Sequence, residues 1–244
     1  MSNLRFHSPE KLRIGAQVKL SDNAATHATR VMRLGVGDGL ILFNGNGNDY
    51  DCELISTKKS ETLVRVKNSM LIENESPLNI TLLQGISSGD RMDYTIQKAV
   101  ELGIKHIQPI ATERSVVKLS QERAERRVEH WQNIVISACE QSGRAFVPQV
   151  AMPMNLSAWL TNNPSSQTCR ILLNPVGAKR FAEISKPSGE IQLLIGAEGG
   201  LSNKEIELAT ANGFQSIILG PRILRTETAA LTAIASMHSI WGDF

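Results

Sequence analysis

The sequence predicts an α/β protein in which a small β-rich region precedes a larger region of alternating strands and helices. In residues 1–72, several short apolar runs are separated by turn signals. From residue 80 onward, short apolar runs alternate with longer segments of helical periodicity. The length of 244 residues is also near the size at which single cores stop growing and chains divide into domains.

The β-rich region contains a predicted hairpin. The apolar run Leu40–Phe43 predicts a strand, and it is followed by the turn sequence Asn-Gly-Asn-Gly at residues 44–47. Asn-Gly pairs favour the positive φ angles of tight hairpin turns. The returning strand then alternates through Tyr50, Cys52 and Leu54.

The other segments of this region complete a small predicted barrel. Residues 61–71 predict another strand, and Asn23–Leu34 is compatible with a helix. Residues 72–79 are polar and contain a proline, which is typical of a domain boundary. We therefore expect a first domain at residues 1–73 and a second domain at residues 74–244.

The second region predicts a mostly parallel sheet covered by helices on both faces. Glycines follow two of its helices, and Ser202 with Glu205 forms a capping box at the start of another. The predicted strands are Ile80–Gly85, His106–Ala111, Cys169–Asn174, Ile191–Ala197 and Ser216–Gly220, and the predicted helices are Asp90–Leu102, Gln121–Gln141, Asn203–Asn212 and Glu227–Ile240.

Composition narrows the class of protein. With 41% hydrophobic and 20% charged residues, the chain has an ordinary globular composition. No apolar run approaches the roughly 20 residues of a membrane span, and the N-terminus lacks an apolar signal core. The three cysteines are odd in number and have no CxxC spacing, which argues against a disulfide framework or a metal site. We expect a cytoplasmic protein without a metal and without a membrane partner.

The charge is unevenly distributed. Residues 1–72 contain 10 Lys and Arg against 7 Asp and Glu, whereas the remainder contains 16 against 17. This asymmetry is compatible with a polyanionic partner for the first domain, although domains that bind nothing charged also carry such a surface.

Three turns that follow late strands are the candidate ligand site. They read LLNPVG (172–177), LIGAEGG (194–200) and ILGPRILRTETA (218–229). Ligands of open parallel sheets bind beyond the carboxyl ends of the strands, and glycines let the backbone approach a ligand closely. A flat heterocycle could be held there by main-chain groups, with Ile223 and Leu224 covering its faces. Each turn alone could equally be plain turn geometry.

The residue pattern argues against two common ligand classes. The turns match neither the GxGxxG fingerprint of dinucleotide-binding proteins nor the GxxxxGK[ST] phosphate loop. A nicotinamide-dependent oxidoreductase is therefore disfavoured, as is a nucleotide hydrolase. Arg222 and Arg225 suit a phosphate or a developing oxyanion. The alternative is that each is a surface arginine paired with Glu198 or Glu227.

The chain resembles a known family. IGAEGGLSNKEI followed by LGPRILRTETAAL is similar to the ribosomal RNA small subunit methyltransferase E family, whose members are 16S rRNA (uracil-N3)-methyltransferases of the SPOUT superfamily. The resemblance covers essentially the whole chain, including LRFH, HATRVMRLGVGD and ESPLNITLLQG near the N-terminus and ISACEQSGR in the second region. One local difference is Ala197, where many members have Pro.

The resemblance implies a fold, a cofactor and a partner. It implies an N-terminal PUA-like β-barrel that binds RNA, a C-terminal α/β trefoil knot, a homodimer and the methyl donor S-adenosyl-L-methionine (SAM). The implied substrate is 16S rRNA of the 30S subunit, methylated at N3 of one uridine. The residues implied to bind SAM are Leu173, Asn174, Pro175, Ile195, Gly196, Ala197, Glu198, Gly199, Gly200, Leu219, Gly220, Pro221, Ile223, Leu224, Arg225 and Thr226.

Candidate catalytic residues follow from the chemistry of N3 methylation. Uracil N3 carries a proton and is a poor nucleophile until that proton leaves. Arg225 or Arg222 could stabilise the uridine anion. Glu198 or Glu227 could accept the proton, although Glu227 could instead favour the positive end of a helix.

RNA recruitment requires cationic side chains that contact phosphates. The candidates are Arg5, His27, Arg30, Arg33, Arg91, Arg114 and Arg144. Each arginine could instead be a solvated surface charge, and His27 could be a structural histidine.

Two further functions remain open from the sequence. A ribose 2′-O-methyltransferase would share the superfamily, but those enzymes generally carry a Ser/Asn-rich final motif where this chain has LRTETA. A non-catalytic RNA-binding or assembly protein could have kept the same fold.

Overall fold

The computed structural model describes residues 4–58, 61–115, 120–164, 168–176 and 179–244. The chain divides into two compact units. The first unit consists of the residues up to Glu75 together with Cys139–Val147, and the second consists of Ser76–Ala138 and Pro148–Phe244. The sequence pattern does not show that Cys139–Val147 rejoins the first unit, because its first residues continue a helix that begins at Gln121.

The first unit is built on a five-stranded sheet of order β1-β3-β4-β5-β2. Its strands are β1 (Arg5–His7), β2 (Gln17–Lys19), β3 (Gly39–Phe43), β4 (Asn48–Lys58) and β5 (Glu61–Leu71). β1 and β3 are parallel, and the other neighbouring strands are antiparallel. The short strands β1 and β2 are not marked by the sequence pattern.

The predicted hairpin is confirmed as β3 and β4. Gly45 and Gly47 have φ angles of 85° and 89°, which a residue with a side chain rarely adopts. Alternate side chains of β3, β4 and β5 then point into one core. The core members from these strands are Leu40, Leu42, Tyr50, Cys52, Leu54, Val64 and Val66.

The predicted helix at residues 23–34 is shorter than expected. Helix α1 spans Asp22–Thr26, capped by the hydroxyl of Ser21, and a π-helical turn continues it from His27 to Val31. The helical segment stops before Leu34 because Arg33 adopts a left-handed conformation with φ 57°.

The second unit contains the predicted parallel sheet. Its strand order is β12-β10-β11-β6-β7-β8, with β9 also pairing with β7, and these neighbouring strands are parallel. The strands are β6 (Ile80–Gly85), β7 (His106–Ala111), β8 (Gln149–Val150), β9 (Met154–Asn155), β10 (Cys169–Leu173), β11 (Ile191–Ile195) and β12 (Gln215–Ile217). Every residue of β6 and β11 is buried, as expected for central strands covered on both faces.

Helices surround this sheet. They are α2 (Asp90–Glu101), α3 (Gln121–Ser142), α4 (Leu156–Asn162), α5 (Asn203–Ala211) and α6 (Thr226–Trp241), with a short 3₁₀ turn at Phe181–Glu183. α2 packs against α6, while Trp159 of α4 and Ala209 of α5 share a core with Leu172 and Leu194. The capping box at Ser202 is present, whereas α4, β8 and β9 are not marked by the sequence pattern.

In the described part of the chain, none of the helices combines the length and the apolar character that crossing a bilayer requires. The same residues contain no group of three or more His, Cys, Asp or Glu side chains placed to hold a metal ion.

Candidate active site

The three glycine-bearing turns meet at one edge of the parallel sheet of the second unit. β12, β10 and β11 are adjacent strands, so the turns that leave their carboxyl ends emerge side by side. They line one cavity of about 450 Å³. All residues predicted to bind the cofactor line it except Pro221, and so do all four predicted catalytic residues. Gly177, at the end of the first predicted turn, lies outside the described residues.

The turn after β11 is closely folded. The N–H of Gly200 donates to the carbonyl oxygen of Ala197 at 2.8 Å, and Gly200 has a φ angle of 67°. A Cβ on Gly196 would lie 2.7 Å from the carbonyl carbon of Gly200, a separation that packed atoms do not tolerate. Position 196 therefore requires glycine, because any side chain there would collide with the backbone of Gly200 on the other side of the turn.

The end of β6 packs directly against the same turn. A Cβ on Gly85 would lie 2.2 Å from the backbone nitrogen of Ala197. Gly85 is absent from the predicted site, although a glycine at the carboxyl end of a predicted buried strand is a signal of close backbone approach.

A buried hydrogen-bond chain joins the turn to the start of α6. The hydroxyl of Thr226 donates to the carbonyl oxygen of Gly196 at 2.6 Å. The side-chain amide of Gln84 in turn donates to the Thr226 hydroxyl at 2.8 Å. Because all three groups are buried, solvent would not replace either bond if it were lost. Gln84 is also absent from the predicted site, and its only sequence signal is an amide in an otherwise apolar strand.

The turn after β12 places apolar side chains at the cavity mouth. Gly220 has a φ angle of 122°, and the chain leaves the sheet before this point rather than continuing the predicted strand. The side chain of Ile223 is 86% exposed, Leu224 is half-buried, and Val176 from the turn after β10 is 87% exposed. Aliphatic side chains left open around a cavity are suited to contact an apolar or aromatic ligand face.

Four arginines and two glutamates line the cavity: Arg91, Arg114, Arg222, Arg225, Glu198 and Glu227. Arg114 donates to the carbonyl oxygen of Gly199 at 3.2 Å. Arg222 and Arg225 are exposed, and within the described part of the chain neither pairs with a carboxylate. The alternative in which Arg222 and Arg225 pair with Glu198 or Glu227 is therefore not observed among the described residues.

Glu198 is held by three donors. Its Oε1 accepts from the Ser88 N–H at 2.8 Å, from the Ser88 hydroxyl at 2.8 Å and from Arg91 at 3.2 Å. Burial by itself raises the pKa of Glu198. The hydrogen bonds from Ser88, from its own backbone and from Arg91 outweigh burial and bring this pKa below its ordinary value.

Of the residues that the sequence predicts to contact RNA, Arg144 is buried and Arg5 is half-buried within the first unit. Arg5 forms a two-bond pair with Asp49 at 3.0 and 2.6 Å and also donates to the carbonyl oxygen of Cys139. Arg144 forms a similar pair with Glu75 at 3.0 and 2.6 Å. Since both guanidinium groups are enclosed and bound to carboxylates, we assign them a structural role.

The other predicted RNA-binding residues are exposed. Arg30 and Arg33 lie in and just after the π-helical turn of the first unit, and the ring of His27 stands edge-on to Phe6 at 5.6 Å. Arg91 and Arg114 lie at the cavity of the second unit.

Known proteins resemble this chain over most of its length. A family model described as an RNA methyltransferase domain matches residues 74–238, and one described as an RNA methyltransferase PUA domain matches residues 20–67. The ribosomal RNA small subunit methyltransferase E of Buchnera aphidicola (subsp. Acyrthosiphon pisum) is 34% identical over 240 residues, covering 98% of this chain and 94% of that protein.

Two solved structures have the same fold over the whole chain. The ribosomal RNA small subunit methyltransferase E of Neisseria gonorrhoeae, bound to S-adenosyl methionine, has a TM-score of 0.92 and 43% identity, with 99% of each chain covered. A putative methyltransferase of Legionella pneumophila in complex with SAM has a TM-score of 0.95 and 36% identity, with 100% of each chain covered. These matches confirm the predicted fold class, and the chain belongs to the ribosomal RNA small subunit methyltransferase E family.

Proposed function

We propose that this protein transfers the methyl group of SAM to N3 of one uridine in 16S rRNA of the small ribosomal subunit. The observation that carries the proposal is the convergence of the three turns on one cavity, in a member of this family. In this proposal residues 1–73 serve RNA binding and residues 74–244 serve catalysis.

The cavity fits SAM in size and in chemistry. Its volume of about 450 Å³ is in the range of small-molecule sites. The glycines at 196 and 199 let the turn pack closely against Gly200 and Arg114. Glycines also let main-chain groups approach a ligand closely, which suits recognition of an adenine and a ribose. Ile223 and Leu224 supply apolar contacts for the ring faces. We propose that these turns hold SAM, which when bound supplies an electrophilic methyl group.

The side chains at the mouth suit the second reactant. When the N3 proton leaves uracil, negative charge spreads to O2 and O4 of the ring. Arg222 and Arg225 are exposed at the cavity with their guanidinium groups available for that charge. Glu198 and Glu227 are the carboxylates within the cavity lining that could accept the proton.

Mass spectrometry of rRNA nucleosides tests the reaction. We expect 3-methyluridine to disappear from the small-subunit RNA of cells that lack this protein, and to return when the purified protein and SAM are added to that RNA. Loss of a 2′-O-methylated nucleoside instead would establish the ribose methyltransferase. An unchanged nucleoside profile, with SAM binding absent by calorimetry, would favour a non-catalytic assembly protein.

We propose that exposed arginines of the first unit contact rRNA phosphates. Replacing Arg30 and Arg33 together with Gln is expected to weaken RNA binding and to make its salt dependence shallower. On single-stranded RNA, the slope of log K against log salt should fall by roughly 0.7 for each phosphate that the variant no longer neutralises. Filter binding at several salt concentrations measures the slope.

Lys67→Gln is the matched control for this measurement. Lys67 is also in the first unit, but its ammonium already pairs with Glu53 at 2.7 Å. The control should keep the parental slope. An unchanged slope in the double arginine variant would remove these two residues from the RNA-binding surface.

The remaining parts of the proposal concern assembly and location. We propose that the protein is a homodimer, which light scattering of the purified chain would test. We also propose a cytoplasmic location, because the proposed substrate is part of the small ribosomal subunit.

A further inference from the structure

Two carboxylates line the cavity, and their surroundings differ. Glu198 already accepts three hydrogen bonds through one oxygen, from Ser88 and from Arg91. A carboxylate stabilised in its charged form by this many donors is a weak base. These hydrogen bonds instead tie the turn after β11 to Ser88, which precedes α2, and to Arg91 in the first turn of that helix.

Glu227 presents an oxygen that lacks any donor. Its Oε2 is shielded from solvent and has no hydrogen-bond partner among the residues that the structure describes. A buried carboxylate oxygen without a donor is costly, and such an atom in a native protein calls for an explanation. Glu227 itself is half-buried and lines the cavity, so its carboxylate can meet a ligand there.

The backbone of Glu227 is held in place. The preceding residue, Thr226, is fixed by hydrogen bonds to Gly196 and to Gln84, both of which are buried. Glu227 also lies in the first turn of α6. Glu227 is therefore carried by the helix whose first residue is hydrogen-bonded to the turn after β11.

We infer that Glu227 is the catalytic base that removes the N3 proton of the target uridine. This inference rests on the proposed function. The N3 proton moves to the carboxylate of Glu227, and the electron pair left on N3 forms the bond to the methyl carbon. The sulfur–methyl bond breaks with its electron pair staying on sulfur, so the donor departs as a neutral thioether. The carboxylic acid then releases its proton to solvent.

The surrounding charges favour this sequence. Arg222 and Arg225 come from the turn before α6, while Arg91, Arg114 and Glu198 line the cavity from other segments. Arg91 pairs with Glu198 and Arg114 donates to the carbonyl oxygen of Gly199, so Arg222 and Arg225 are left to balance the anion that forms on the pyrimidine ring.

The test compares Glu227→Gln with the parental chain on two substrates. One is small-subunit RNA containing uridine, naked or assembled into 30S particles, and the other is the same RNA containing 5-fluorouridine. Fluorine at C5 withdraws electrons and acidifies the N3–H, so methylation of that ring depends less on a protein base. Single-turnover methyl transfer is measured on both, and SAM affinity is measured by calorimetry.

We expect Glu227→Gln to lose about 10²–10⁴-fold in rate on uridine. On 5-fluorouridine the deficit relative to the parental chain should shrink by about tenfold or more, with SAM affinity retained. Glu198→Gln is the matched control, and any deficit that it shows should be the same on both RNAs.

Two results would overturn the inference while leaving the proposed function intact. One is a Glu227→Gln variant that methylates uridine at the parental rate. The other is an equal deficit on both RNAs, which would indicate that the carboxylate only stabilises the positive end of α6. A parental chain that methylates neither RNA would instead overturn the proposed function itself.

Discussion

Replacing Arg225 with Ala is expected to remove most methyl transfer while leaving SAM binding nearly intact. Arg225 is the last residue before α6, and its carbonyl oxygen accepts the N–H of Ala229 at 2.8 Å, so its backbone position is fixed. Its side chain is exposed at the cavity. Loss of a preorganised donor to a developing oxyanion typically costs about 10²–10³-fold in rate. Single-turnover methylation and SAM calorimetry on the same preparation measure the two effects separately.

Two further variants show whether the effect belongs to the guanidinium group. Arg225→Lys keeps the charge but not the planar pair of donors, so we expect an intermediate rate. Arg123→Ala removes an exposed arginine of α3 outside the cavity lining and should retain the parental rate. A parental rate in Arg225→Ala would exclude Arg225 from charge stabilisation and transfer that role to Arg222.

Much of the second unit could be predicted from local patterns. The bounds of β6 and β7 are predicted to the residue, because both strands are largely apolar runs between polar or glycine-containing segments. The predicted β11 is too long, since Ala197 is buried and apolar although the chain has already turned at Gly196. Local hydrophobicity reports burial and does not distinguish a strand residue from a packed turn residue.

Contacts between distant residues could not be predicted in this way. Gln84 and Thr226 are 142 positions apart, and nothing near either residue indicates the other. Arg5 has the sequence surroundings of a surface cation, because its partner Asp49 follows a predicted turn 44 positions later. The trefoil knot likewise is implied by the family resemblance alone, since topology rules normally exclude chain threading.

The candidate site was predictable because its signal is concentrated in three short turns. Their convergence requires only that the three strands be neighbours in one parallel sheet, which the alternating pattern favours. The difference between Glu198 and Glu227 was not predictable. It depends on Ser88 and Arg91, which reach Glu198 from more than 100 positions away.

Replacing Gly196 with Ala is expected to have the largest effect on SAM binding. The new Cβ would lie 2.7 Å and 2.8 Å from backbone atoms of Gly200, and neither segment can yield without opening the turn. The carbonyl group of Gly196 also accepts the buried bond from Thr226, so a shift of this residue disturbs the start of α6. We expect SAM affinity to fall by about 100-fold or more, which corresponds to at least about 2.7 kcal/mol of binding free energy. Titration calorimetry measures it.

Gly35→Ala separates this effect from the general cost of replacing a glycine. Gly35 has an ordinary φ angle, and its added Cβ would come no closer than 3.8 Å to Asp38. The control should bind SAM with parental affinity. If Gly196→Ala bound SAM equally well, the turn after β11 could not be in contact with the cofactor, because a turn that tolerates such a shift does not position a ligand. If Gly196→Ala still unfolds cooperatively but binds SAM more weakly, the defect lies in the turn itself. A globally unfolded chain would show neither cooperative unfolding nor SAM binding.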